Sequence, residues 1–118
     1  MARKNPGEPF YRINAEEAKE MVDSDPNVAV VDVRNPDEYA AGHVTNAIFI
    51  PVDTVLTRVD ELPRDKKLLF ICAMGQRSAL ACEMSAAMGI DPENLYNIED
   101  GTPGWVNRDY PTSYGDEP

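Results

Sequence analysis

Residues 72–78, CAMGQRS, place a thiol, a glycine, a guanidinium and a hydroxyl between an apolar run, LLFI, and an alanine-rich helical pattern, SALACEMSAAMG. A thiol attacks as its thiolate, and the start of a helix is one of the few places where backbone chemistry favours that anion. The first turn leaves about four N–H groups without partners, and a loop curling around the sulfur can aim several of them at it. The helix dipole itself offers only about 0.3–1 kcal/mol, so most of the stabilisation of a Cys72 thiolate must come from direct N–H donors and from Arg77. Gly75 permits the backbone angles of a tight cradle. Arg77 presents a planar fork for an oxyanion, and Ser78 can cap the helix while offering its hydroxyl to sulfur or substrate. The chemistry within reach is nucleophilic attack by a poised, solvent-reachable Cys72 anion.

Alone, a cysteine beside a helix is most simply a small buried hydrophobe. Strand, glycine, Arg-Ser and helix together weigh against that for Cys72. Cys82 differs, because it falls inside the helix among Ala81, Met84 and Ala86, where packing is the simpler role. It lies four residues past Ser78, about 6 Å along the helix axis, so a disulfide to Cys72 would need backbone movement.

The elements that must position the loop follow from pattern. FYRI reads as a first strand, and Asn14 caps a helix through Val22 with Glu17 as capping-box partner and Ala18, Met21 and Val22 on one face. VAVVDV, 28–33, is a β-branched run of the kind covered on both faces in a parallel sheet. Asn35, Pro36, Asp37 and Glu38 start a short helix that Gly42 closes. AIFI, 47–50, is the next strand; Val55, Leu56, Val59 and Leu62 repeat at helical spacing; LLFI, 68–71, and LYNI, 95–98, are strands, with a short segment around TPGWVN between LYNI and the end. Strands alternating with helices predict an open, mostly parallel α/β sheet with helices on both faces, where ligands sit beyond the carboxyl ends of the strands. Cys72 is at such an end.

Composition narrows the partners. The chain has 118 residues, 42% apolar and 27% charged, the balance of one folded globular domain. A body over 10–110 is expected, between a flexible N-terminal segment, 1–9, and a flexible C-terminal tail, 111–118, both rich in Pro and Gly. The formal net charge of −10 repels nucleic acid and anionic membranes, so neither is an expected partner. No apolar run approaches a membrane span, and a cytoplasmic location is expected. Two cysteines and a lone histidine, His43, lack the spacing of a zinc site, so no metal is expected.

Three strings in order resemble the single-domain rhodaneses, a family of sulfurtransferases: the loop, as Cys-x-x-Gly-x-Arg-Ser; VVDVRNPDEYAAGHVTNAIFIP, 30–51; and DGTPGWVNRDYP, 100–111. The resemblance implies a three-layer α/β fold with a five-stranded, mainly parallel sheet. It implies that Cys72 accepts a sulfane sulfur, and that the loop of Ala73, Met74, Gly75, Gln76, Arg77 and Ser78 binds the persulfide and the departing anion. The enzyme type implied is a thiosulfate:cyanide sulfurtransferase, with a small sulfur donor or persulfide-bearing protein, a thiol acceptor and no cofactor. Asp32, Arg34, Glu38 and His43 fall on the family's other signature and are expected to be structural, with Arg34 pairing Glu38 or Asp32. Trp105 is expected in the core. Ala73 and Met74 depart from the basic or polar residues common in active relatives, which makes the rim less cationic and more apolar and leaves room for a protein, glutathione-type or other organic persulfide, as well as thiosulfate, as the donor. Val44-Thr45-Asn46-Ala47 replaces a usual glycine turn.

Two other readings share the pattern. A phosphatase or arsenate reductase of related fold also uses an N–H cradle with arginine, although its loop is longer than the AMGQ spacing between Cys72 and Arg77. A non-catalytic interaction module would keep the fold without needing Cys72, Arg77 and Ser78.

Overall fold

The structure is a computed structural model and describes residues 2–118; Met1, part of the expected 1–9 segment, lies outside the described residues. Five strands form one sheet: β1 (Tyr11–Ile13), β2 (Val28–Asp32), β4 (Ile48–Phe49), β5 (Lys67–Ile71) and β6 (Leu95–Ile98). Their order is β1-β6-β5-β2-β4, and every pairing is parallel. Parallel neighbours need crossovers, and helices make most of them: α1 (Ala15–Ser24), α3 (Val55–Arg58) and α4 (Gln76–Ala87), with α2 (Pro36–Ala41) and α5 (Gly101–Val106) beside the strand ends.

The alternation of β5 explains the two cores. Leu68, Phe70 and, just beyond the strand, Cys72 lie in the cluster that contains Val55 of α3 and Ala81 of α4. Leu69 and Ile71 join Ala18 of α1 and Trp105 of α5 in the other. Residues 68–71 are fully buried, and each large side chain so covered contributes about 1.5–3 kcal/mol. The sheet therefore fixes which face receives the cysteine. It is the face of α4, whose first turn must then approach the sulfur.

Local signals act where expected at α1. The Glu17 N–H donates to Asn14 Oδ1 at 2.8 Å and the Asn14 N–H to Glu17 Oε1 at 2.9 Å, a cap worth about 1 kcal/mol. Ala15 and Ala18 face inward, whereas Val22 is exposed. The pattern over 55–62 forms one short helix that tightens into a 3₁₀ turn at Val59–Glu61, so Val55, Val59 and Leu62 are buried and Leu56 is not. Trp105 is in the core, its indole N–H donating to Pro111 O at 2.8 Å.

The C-terminal residues, read from composition as a loose tail, are tied down instead. β7 (Thr112–Ser113) pairs antiparallel with β3 (His43–Val44), and the Gly115 N–H donates to Ala40 O at 2.8 Å. At the other end, Arg3 exchanges backbone hydrogen bonds with Arg12 of β1, at 2.9 and 2.6 Å. Asn46 takes φ 68° in the turn where a glycine is usual, a conformation asparagine tolerates better than most residues.

Candidate active site

Two glycines, Gly75 in the loop after β5 and Gly101 at the start of α5, let backbone segments close on one another around the cysteine. Gly75 has φ 84°, and a Cβ there would stand 2.6 Å from Glu99 O. Gly101 has φ 65°, and a Cβ would stand 2.3 Å from Ala73 O. Backbone therefore lies on backbone at both points, which only glycine allows. The Cys72 carbonyl is held by the Thr102 N–H at 2.8 Å and the Thr102 hydroxyl at 3.3 Å.

The sulfur meets the donors that the loop was expected to supply. The Gly75 N–H donates to Cys72 Sγ at 3.1 Å and the Ser78 N–H at 3.4 Å, with the Ser78 hydroxyl 3.2 Å away. Burial pushes the thiol up, but the Ser78 hydroxyl and the amides of Ser78, Met74 and Gly75 outweigh it and hold Cys72 below its ordinary value. A hydrogen bond to a charged acceptor contributes about 1.5–3 kcal/mol, so a few donors suffice. The expectation of an open sulfur is corrected: Cys72 is only 1% exposed, while its neighbour Met74 is 78% exposed at the rim. The side chain is buried, and the amides point at its sulfur.

Ser78 does not cap the helix. Gly75 occupies that position, Gln76 begins α4 on its exposed side, and Ser78 is buried in the first turn. Its hydroxyl also donates to Asn97 Oδ1 at 2.5 Å, and the Asn97 amide donates to Gly75 O at 3.1 Å. One hydroxyl proton faces two acceptors once the sulfur ionises. With the thiol, a chain from S–H through Ser78 to Asn97 is satisfied; a thiolate would compete with Asn97 for the one Ser78 proton. Sequence reasoning missed Asn97, although an asparagine in the otherwise apolar LYNI, at a strand's carboxyl end, was a usable signal.

Arg77 is also placed differently from expectation. Its guanidinium engages Glu38 in two parallel bonds, 2.7 and 2.9 Å, rather than turning to the sulfur. Arg77, then burial acting in the opposite direction, then the Asn35 N–H set the Glu38 carboxyl at about 2. Arg34 pairs with buried Asp32 at 2.9 and 2.6 Å and donates to Gly42 O at 2.8 Å. The alternatives for Arg34 thus resolve to Asp32. His43 is fully buried, stacked 3.6 Å from Tyr39, with Nδ1 2.8 Å from Tyr39 O and Nε2 2.7 Å from Glu117 O. It anchors the C-terminal segment and does not join the loop.

Beside Ala73 lies a cavity of about 310 Å³, bounded by Arg34, Glu38, Thr102, Val106 and Tyr114. Among the described residues, no cluster of His, Cys, Asp and Glu has the arrangement of a metal site, and no helix is long and apolar enough to cross a membrane.

Comparison with known proteins points one way on family. The family model of the rhodanese-like domain matches residues 14–108. A sulfurtransferase of Allochromatium vinosum is 27% identical over 99 residues, covering 84% of this chain and 91% of that one. A tRNA uridine(34) hydroxylase of Erwinia tasmaniensis is 36% identical over 105 residues, covering 81% of this chain and 28% of the hydroxylase. One Bacillus subtilis relative is likewise spanned over only 51% of its length. The crystal structure of a rhodanese-related protein from Thermoplasma volcanium superposes with a TM-score of 0.75 at 35% identity, covering 86% of this chain and 96% of that one.

Proposed function

The chain belongs to the rhodanese-like domain family, and from that premise we propose that it is a sulfurtransferase working through a persulfide on Cys72. The observation that carries this reading is the set of N–H and O–H donors closing on a thiol whose value they lower against the effect of burial. In the first step the Cys72 thiolate attacks the outer sulfur of a donor, R–S–S⁻. A bond forms from Sγ to that sulfur, the S–S bond of the donor breaks, and RS⁻ leaves with the electron pair. In the second step an acceptor thiolate attacks the same outer sulfur and Cys72 departs as the thiolate. No electrons are gained or lost overall.

Within this scheme the amides of Met74, Gly75 and Ser78 hold the charge on sulfur, and Ser78 adjusts its proton as that charge comes and goes. Ala73, Met74 and Gln76 form the rim. Met74 and the apolar part of the cavity beside Ala73 suit an organic or protein persulfide better than a bare inorganic anion. Both cysteines are free thiols, which fits a reducing, cytoplasmic setting. The phosphate-ester reading lacks comparable support, because the arginine it needs is committed to Glu38.

Intact-mass measurement after incubation with glutathione persulfide and with thiosulfate tests the reading. Wild type is expected to gain one sulfur atom, lost again on addition of a thiol, while Cys72→Ser gains none and melts at a similar temperature. Sulfur loading on the folded variant, or none on wild type from either donor, would overturn it.

A further inference from the structure

We propose that Glu38 sets the donor selectivity of the cysteine loop by neutralising Arg77, so that the site accepts organic persulfides and discriminates against small dianions of the thiosulfate type. The inference rests on the sulfur-transfer reading above and names a determinant which that reading does not contain.

Within 72–78 Arg77 is the sole formal cation. A loop that received a dianion would need that charge free, yet two of its N–H groups bind the two oxygens of one carboxylate. The carboxylate is itself fixed at the start of α2, where Glu38 Oε1 accepts the Asn35 N–H at 3.1 Å. With its carboxyl held at about 2, Glu38 remains ionised throughout the neutral range. Arg34, beside the same cavity, is cancelled in the same way by Asp32, and Arg12, which lines a second pocket with Met74, Gly75 and Gln76, is paired with Glu8 and Glu99. An incoming dianion therefore meets amide dipoles but no net positive charge, on a chain whose formal charge is −10.

The location of the pair gives it this effect. Arg77 and Glu38 are 32% and 30% exposed, so the pair is partly solvated and its contribution to stability is modest. Glu38 lines the cavity beside Ala73, the residue next to the nucleophile. A donor resting in that cavity would lie beside the carboxylate. An organic persulfide carries its charge on the reacting sulfur, where the amides await it, and can rest its organic portion on Thr102, Pro103 and Val106. Thiosulfate carries a second charge on its sulfonate, and Arg77, Arg34 and Arg12, the arginines beside the loop, are each already paired with a carboxylate.

The test compares wild type, Glu38→Gln, Glu38→Asp and the double variant Glu38→Gln with Arg77→Gln. One readout is the ratio of sulfur-loading rates from thiosulfate and from glutathione persulfide. The other is the ratio of Cys72 alkylation rates by iodoacetate and iodoacetamide, read by peptide mass; restricted access to the buried sulfur affects both reagents and cancels in that ratio. Glu38→Gln is expected to raise both ratios about tenfold, the effect of one uncompensated charge at partly solvated range. Glu38→Asp should keep the wild-type ratios, and the double variant should return to them. Ratios within twofold of wild type in folded Glu38→Gln, or an increase that survives the loss of Arg77, would overturn the role of Glu38 while leaving sulfur transfer intact. Absence of sulfur loading from both donors in wild type would instead overturn the transfer reading and the choice of donor, and the alkylation ratio would still decide whether Glu38 controls the charge at the mouth.

Discussion

Cys72 and Cys82 are 1% and 0% exposed and both are free thiols, yet their surroundings drive them in opposite directions. For Cys82, burial pushes the thiol well above its ordinary value, and the nearest polar contact is a weak one to Tyr96 O at 3.5 Å. For Cys72 the same force acts, but the Ser78 hydroxyl and the loop amides overcome it. Position in the fold makes the difference. Beyond the first turn of α4, where Cys82 lies, each backbone N–H is spent on a carbonyl one turn earlier, so none is left for a side chain. In the loop after β5 and in the first turn of α4 the amides of Gly75 and Ser78 have no such partner, and the chain bends so that the sulfur becomes it. Removing water from a nucleophile does not disable it, provided fixed donors replace the water; the low dielectric then makes each donor count for more.

The sharpest way to break the contrast is Ser78→Ala, which removes the hydroxyl but keeps the amide. Losing one hydrogen bond to an ionised sulfur costs about 1.5–3 kcal/mol. The midpoint of Cys72 alkylation should therefore move up by at least about one pH unit, with about tenfold lower reactivity at neutral pH. Cys82 should stay inert in the folded protein. An unmoved midpoint would show that the amides alone hold the sulfur.

Cys82→Ala should have the smaller and opposite kind of consequence. Deleting a buried sulfur from the α4 face leaves a small cavity, and a loss of about 1 kcal/mol is expected in the urea midpoint with unchanged slope. Cys72 should load sulfur and alkylate within twofold of wild type. A collapse of loading in this variant would make Cys82 a second working thiol and remove the basis for treating the two separately.

The same contrast separates what the sequence made legible from what it did not. The β-branched and leucine runs revealed β2, β5 and β6 because a strand covered on both faces has no room for polar residues. The capping box at Asn14 and the Pro36 helix start were readable because their partners lie within one turn. The paired strands His43–Val44 and Thr112–Ser113 were not, since two residues carry no period and their partner is far along the chain. In the loop, the residue types point to the donors around Cys72, but they offer Ser78 for the cap that Gly75 occupies. They offer Arg77 to an oxyanion, whereas it meets Glu38, 39 positions away in sequence. Charge partners across that distance depend on how strands order in the sheet, and β1-β6-β5-β2-β4 is not written in any local pattern.

The finest distinction between the thiols lies in how each links stability to pH. The ordinary thiol value is 9.0, and Cys72 in the folded protein lies below it. Between its depressed value and about pH 9, the folded chain has released this proton and the unfolded chain has not, so stability rises with pH, by at most about 1.4 kcal/mol per pH unit. Cys82 lies well above 9.0 when folded. Above about pH 9 the unfolded chain releases that proton while the folded chain keeps it, so stability falls with pH. Urea titrations from about pH 7 to 10, taken as wild type minus Cys72→Ser and wild type minus Cys82→Ala, should give one curve that climbs and then flattens near pH 9 and one that is flat and then descends. A Cys82 difference that climbs below pH 9 would mean that donors reach that sulfur too, and the opposition between loop and helix would have to be abandoned.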